Sequence, residues 1–172
     1  DILDDNNCPD NIQVIVTEPA PINNIPSVTP PLCHGGQDGS ITITTSGGTP
    51  NYEYSIDGGL NYQLSSTFTG LSQGTYDIDI LDDNNCPDNI QVIVTEPTPL
   101  QLSIGAISNV DCYNNSTGEV TISASGAIPN YEYSIDGGLN YQLSSTFTNL
   151  IAGNYTVIVQ DDNNCQEQIP FT

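Results

Sequence analysis

Five cysteines, three copies of an Asp-Asp-Asn-Asn run and one histidine are the residues whose chemistry could matter in this chain. The cysteines are Cys8, Cys33, Cys86, Cys112 and Cys165. Thiols placed regularly in small repeated units form disulfide frameworks in oxidising compartments. An odd number leaves room for partners outside the chain. The acidic runs are Asp4-Asp5-Asn6-Asn7, Asp82-Asp83-Asn84-Asn85 and Asp161-Asp162-Asn163-Asn164. Hard oxygen ligands clustered in a loop suit Ca²⁺. The ligands would be Asp82, Asp83 and Asn84, and again Asp161, Asp162 and Asn163. Against this, Asp and Asn are also ordinary turn formers, and the spacing lacks the pattern of an EF-hand loop. His34 is the single histidine, and Tyr113 holds its place in the second repeat; it reads as a loop residue. No serine has a base and an orienting group from which to build a nucleophile. Paired carboxylates could in principle do acid–base work, but the repeated ones lie in turns. No enzymatic activity is expected.

The charge balance narrows the classes further. The chain has 172 residues, 21 Asp plus Glu and no Lys or Arg. The acid count is ordinary; the missing cations are not. Nucleic acid is excluded as a partner because phosphate binding runs on Lys and Arg. Anionic membrane surfaces repel such a chain, and no apolar run approaches the roughly 20 residues of a membrane helix. Lysine-based isopeptide cross-links cannot form.

Positioning these residues falls to a repeat. The phrase DILDDNNCPDNIQVIVTEP fills 1–19 and returns at 79–97. PNYEYSIDGGLNYQLSSTFT fills 50–69 and returns at 129–148, an offset of 79. Cys33 matches Cys112 and Cys86 matches Cys165 at the same offset. Glu18-Pro19-Ala20-Pro21 and Glu96-Pro97-Thr98-Pro99 read as linkers. The expected organisation is therefore 1–19 as the C-terminal strand of a preceding repeat, 20–98 as one complete repeat, and 99–172 as a second, cut in its last strand.

Each repeat reads as strands. Tyr76, Ile78 and Ile80 alternate with Asp77 and Asp79, and Ile90, Val92 and Val94 alternate likewise. Tyr52, Tyr54 and Ile56 are expected on one face of a strand. Asp57-Gly58-Gly59 and Asp136-Gly137-Gly138 signal tight turns. Period two, β-branched residues and turns every 8–12 residues predict about seven short strands per repeat. The fold class is all-β: tandem immunoglobulin-like sandwiches of about 79 residues.

The ordered motifs Cys33, Asp38-Gly39-Ser40-Ile41-Thr42-Ile43, Ser46-Gly47-Gly48-Thr49-Pro50, Tyr52-x-Tyr54-Ser55-Ile56-Asp57, Gly74-Thr75-Tyr76 and Asp83-Asn84-Asn85-Cys86 resemble the SprB repeat. The second repeat matches through Gly118-Glu119-Val120-Thr121-Ile122, Pro129-Asn130-Tyr131-Glu132-Tyr133-Ser134-Ile135-Asp136 and Asp162-Asn163-Asn164-Cys165. The chain departs from the family in reading Asn-Asn-Cys for Asn-Gly-Cys and in lacking Lys and Arg. The resemblance implies a secreted cell-surface protein of gliding or filament-bearing Bacteroidota, built from many sandwiches and used in adhesion.

Three cysteine pairings follow from this architecture. Bridges within a repeat would be Cys33–Cys86 and Cys112–Cys165. Those cysteines lie at opposite poles of a sandwich, separated by a strand of ~20 Å, whereas a disulfide needs Cα atoms within ~7 Å. A hairpin at each linker would pair Cys8 with Cys33 and Cys86 with Cys112. Head-to-tail stacking would instead join Cys33 to Cys165 across the junction, leaving Cys8, Cys86 and Cys112 to partners outside. The junction bridge is favoured. The function expected is an extracellular fibre or adhesin stalk, whose partners are neighbouring repeats and other copies in a filament. The alternative is a calcium-dependent module that binds surface polysaccharide.

Overall fold

The computed structural model describes the chain except Asp1, Asp4 and Asn7, and except the side chains of Leu3, Pro9 and Asp10. Strands β1 (Ile2–Leu3) and β2 (Pro9–Asp10) form a two-stranded ladder. The first sandwich, unit 1, follows. One sheet holds β3 (Asn23–Thr29), β4 (Gly39–Ser46) and β6 (Thr67–Leu71) in the order β3-β4-β6. The other holds β5 (Glu53–Ser55), β7 (Gly74–Leu81) and β8 (Pro87–Val94) in the order β5-β7-β8. Unit 2 repeats this with β9 (Gln101–Ser108), β10 (Gly118–Ser125) and β12 (Thr146–Leu150) against β11 (Glu132–Ser134), β13 (Tyr155–Gln160) and β14 (Gln166–Phe171). Every named pairing is antiparallel. This is an immunoglobulin-like arrangement with three strands in each sheet.

The alternation builds the cores. Ile41 and Ile43 of β4, Ile78 and Ile80 of β7, and Val92 and Val94 of β8 are buried together with Tyr54 and Phe68. Each fully buried aliphatic side chain contributes roughly 1.5–3 kcal/mol relative to exposure. Unit 2 packs Val120, Ile122, Tyr133, Phe147, Val157 and Val159 the same way. Its core is smaller. Val157 and Val159 replace two isoleucines, and Phe171, the counterpart of Val92, is only partly buried.

Two expectations about strands need correction. Six strands form each unit rather than seven, because 57–66 closes as a carboxylate-capped loop instead of a strand. The strand expected over Tyr52, Tyr54 and Ile56 is only Glu53–Ser55. Ser55 Oγ, 1% exposed as a residue, receives the Gly59 N–H at 3.0 Å, which turns the chain immediately.

Residues 9–16 and 87–94 carry identical letters, yet their structures differ. The second copy is β8, paired along its length with β7, with Val92 and Val94 at 4% and 1% exposure. In the first copy only Pro9–Asp10 is strand, and Val14 and Val16 stand 77% and 92% exposed. A strand propensity becomes a strand only against a sheet edge and a core.

Candidate functional site at the junction between units

The two units join head to tail. β8 runs down to the lower pole of unit 1, and the chain re-enters at the upper pole of unit 2 as β9. Cys33 lies in the loop between β3 and β4, at the lower pole of unit 1. Cys165 lies between β13 and β14, at the upper pole of unit 2. They are disulfide-bonded, with Cα atoms 5.6 Å apart at a sequence separation of 132. Cys33 therefore pairs with neither Cys86 nor Cys8, and Cys165 does not pair with Cys112. The within-repeat bridges are not formed.

Each loop is shaped locally to present its sulfur. The Gly36 N–H donates to the Cys33 carbonyl at 3.0 Å, and Asp38 Oδ1 accepts the Leu32 N–H at 3.2 Å. Around Cys165 the organiser is Asp161, only 3% exposed. Its Oδ1 accepts the N–H groups of Asn163 at 2.9 Å and Cys165 at 2.8 Å. Its Oδ2 accepts the Ile128 N–H at 3.1 Å.

Further contacts tie the junction. Asn163 Nδ2 donates to the Leu32 carbonyl at 3.1 Å, from unit 2 to unit 1. Glu96, in the linker, takes the Gly35 N–H on Oε2 at 2.6 Å. Its Oε1 lies 2.9 Å from His34 Nδ1. The Thr98 carbonyl accepts the Ala127 N–H at 2.9 Å. The linker is thus held to unit 1 at Glu96 and to unit 2 at Thr98. It passes so close to Gly126 (φ +82°) that a Cβ there would overlap the Pro99 carbonyl. Gly47, one repeat earlier, meets Pro21 in the same way.

The residues read as calcium ligands do other work. Asp82 mirrors Asp161: its oxygens accept the N–H groups of Thr49, Asn84 and Cys86 at 2.8, 2.9 and 2.8 Å. These bonds, led by that from Thr49, hold the Asp82 carboxyl below its usual range. Asn84 donates to Thr49 Oγ1 at 2.8 Å, while Asn163 spans the junction. Asp83 and Asp162 face solvent. No cluster of three or more His, Cys, Asp or Glu suited to a metal occurs among the described residues. Asp4 and Asn7 of the first copy lie outside the described residues.

Sequence reasoning missed Glu96, His34 and Asn163 as junction residues. Glu96 stood in a segment read as a plain linker, and Asn163 in a run read as a metal loop. The only available signal was that all three lie near the poles.

The architecture defines a class: a tandem protein of immunoglobulin-like units with a covalently tied junction. The family model described as the SprB repeat matches residues 25–61 and again 104–140, two stretches at the 79-residue spacing. This is a repeat-built protein. No curated protein sequence matches it. Among solved structures it is similar to three N-terminal domains of the Hoc outer capsid protein of bacteriophage RB49, at 16% identity and TM-score 0.46, covering 87% of this chain and 57% of that one. It is also similar to a C-terminal fragment of intimin in complex with a domain of its translocated receptor, at 17% identity and TM-score 0.44, covering 88% and 64%. A third likeness is to fibronectin(III)-like modules of CbhA from Clostridium thermocellum, at 19% identity and TM-score 0.34, covering 85% and 92%. The chain spans 57% and 64% of the first two structures.

Proposed function

We propose that the chain is a load-bearing stretch of an extracellular, cell-surface fibre or adhesin stalk, non-enzymatic, in which disulfides pass tension across each junction. The position of the Cys33–Cys165 bridge carries this reading. Tension entering at β3 reaches Cys33, crosses to Cys165 and leaves along β14. The covalent path bypasses 34–164, so both cores sit outside the line of force. A bridge placed within a unit would protect that unit and leave the junction as a hinge.

The SprB repeats and a disulfide that needs an oxidising compartment support a surface location. The partners are neighbouring units, which need only match at their poles. The experiment that separates this from a binding module is glycan binding with and without chelator. The fibre reading expects no saturable binding to surface polysaccharide. Saturable binding abolished by chelator would replace it.

A further inference from the structure

The carboxylates are spread unevenly over the two sheets of each unit. In unit 1 the sheet β3-β4-β6 has strands of 7, 8 and 5 residues and not one Asp or Glu in them. The sheet behind it carries Glu53, Asp77, Asp79 and Asp88. In unit 2 the corresponding sheet β9-β10-β12 has only Glu119, against Glu132 and Glu167 on the other.

Alternation sets what the neutral sheet shows to solvent. Ile41 and Ile43 face the core, so Ser40, Thr42 and Thr44 face outward. Strand pairing lines hydroxyls up in rows. Ser27, Thr42 and Thr67 cross the three strands, and Thr29, Ser40 and Thr69 form the next row. Thr42 Oγ1 and Thr67 Oγ1 are 3.0 Å apart, so the row is hydrogen-bonded along itself. Ile25, opposite Thr44, adds an apolar side chain that is 61% exposed. In unit 2 Thr121 and Thr146 repeat the hydroxyl pair at 3.1 Å, and Ser103 stands opposite Ser123.

A chain of net charge −21 repels its own copies wherever carboxylates meet. It has no Lys or Arg to answer them, so copies cannot join through opposite charges. The charge-free sheets are where two copies can approach, and depletion of charged residues is also what marks the core of an interface. Each hydroxyl both donates and accepts, which makes the face complementary to itself, as a two-fold interface requires. Strands about 4.8 Å apart, rising about 3.3 Å per residue, give a face of roughly 350 Å² per unit. One such patch is small beside the roughly 800 Å² that each partner gives to a stable complex. Two units approach that figure, and further units on one chain would add their contacts at high effective concentration.

We propose that a second copy of this chain packs side by side on the neutral sheets, β3-β4-β6 and β9-β10-β12, hydroxyl face to hydroxyl face, with the acidic sheets left in water. The inference deepens the fibre reading by making the fibre a bundle, and it rests on that reading for its purpose. The two fail separately: glycan binding tests the reading, and self-association tests the pairing.

The test is sedimentation equilibrium of the native chain, with thiols blocked by alkylation and EDTA present throughout. Salt is raised from about 0.01 M to about 0.15 M, which cuts the screening length from about 30 Å to about 8 Å. A mass of 18.3 kDa is expected at low salt, and a concentration-dependent rise to twice that at the higher salt. Thr42→Glu with Thr121→Glu places a carboxylate inside each neutral face and should weaken pairing at least about tenfold. Ser27→Glu with Ser103→Glu, on the exposed strands β3 and β9, should do the same. Thr75→Glu with Thr156→Glu adds equal charge to the acidic sheets and should leave pairing nearly unchanged. The proposal is overturned by a monomer under every condition, by pairing that survives both neutral-face variants, or by equal weakening from the acidic-sheet variant. A monomer that binds polysaccharide saturably, and loses it with Thr42→Glu and Thr121→Glu, would assign the face to a glycan instead.

Discussion

At the scale of single residues, a few side chains set the geometry and most of the rest pack. Asp57 holds the 57–61 loop by accepting the N–H groups of Leu60 and Asn61 at 3.0 and 2.9 Å and the Asn61 amide at 2.6 Å. The Asn61 amide, then its backbone N–H and the Ser55 hydroxyl, hold the Asp57 carboxyl down to about 2. Asp136 is held well below the carboxylate range by Asn140 in the same role. A depressed pKa in the folded state means that the unfolded chain takes up protons first as pH falls. This stabilisation is complete above the ordinary value of 3.8 and is lost as pH drops toward about 2. Urea titrations at pH 5, 3 and 2 should show stability falling across that window. Asp57→Asn should lower the pH 5 midpoint of unit 1 and flatten its dependence. The cysteines act at this scale too. The double variant Cys33→Ser, Cys165→Ser should lose about 2–4 kcal/mol of stability. Denaturation followed by circular dichroism reads the loss.

At the scale of elements, alternation was the legible signal. Ile78 and Ile80, and Val92 and Val94, were readable as core faces because period two admits no other placement once one face is buried. Ile78→Ala should cost about 2–5 kcal/mol in the transition of unit 1 and leave that of unit 2 nearly unmoved. Residues 9–16 show what alternation cannot decide: a strand pattern does not say which edge will receive it. Hydrogen exchange should be fast across 12–16 and slow across 90–94 of the same sequence, and equal protection would contradict the burial described. The early end of β5 was illegible because Ser55 turns inward to the Gly59 N–H, a contact that depends on the Asp57 loop around it. The roles of Glu96 and Asn163 were illegible for a similar reason. Each depends on the neighbouring unit, and a single repeat read alone has no neighbour.

At the scale of the whole molecule, the formal net charge of −21, with no Lys or Arg to offset it, sets the response to salt. Self-repulsion acts over a screening length of about 30 Å at 0.01 M salt and about 3 Å at 1 M. Raising NaCl across that range should raise the unfolding temperature gradually, without saturation at low concentration. A saturable rise with micromolar Ca²⁺ that NaCl does not reproduce would show a bound ion and count against the loops as hydrogen-bonded turns. The repeat explains why head-to-tail stacking could be argued from 172 letters: identical poles recur, so one bridge implies the next. The central claim is that the bridge carries the load around both cores. It is tested most directly by pulling the oxidised chain by its two ends in a single-molecule force experiment, before and after reduction. With the disulfide intact, the 132-position span between the cysteines should stay hidden, and its length of about 450 Å should appear only after reduction, as unfolding steps. The same unfolding steps in the oxidised chain would mean that tension runs through the cores, and the account of the junction as the load path would fail.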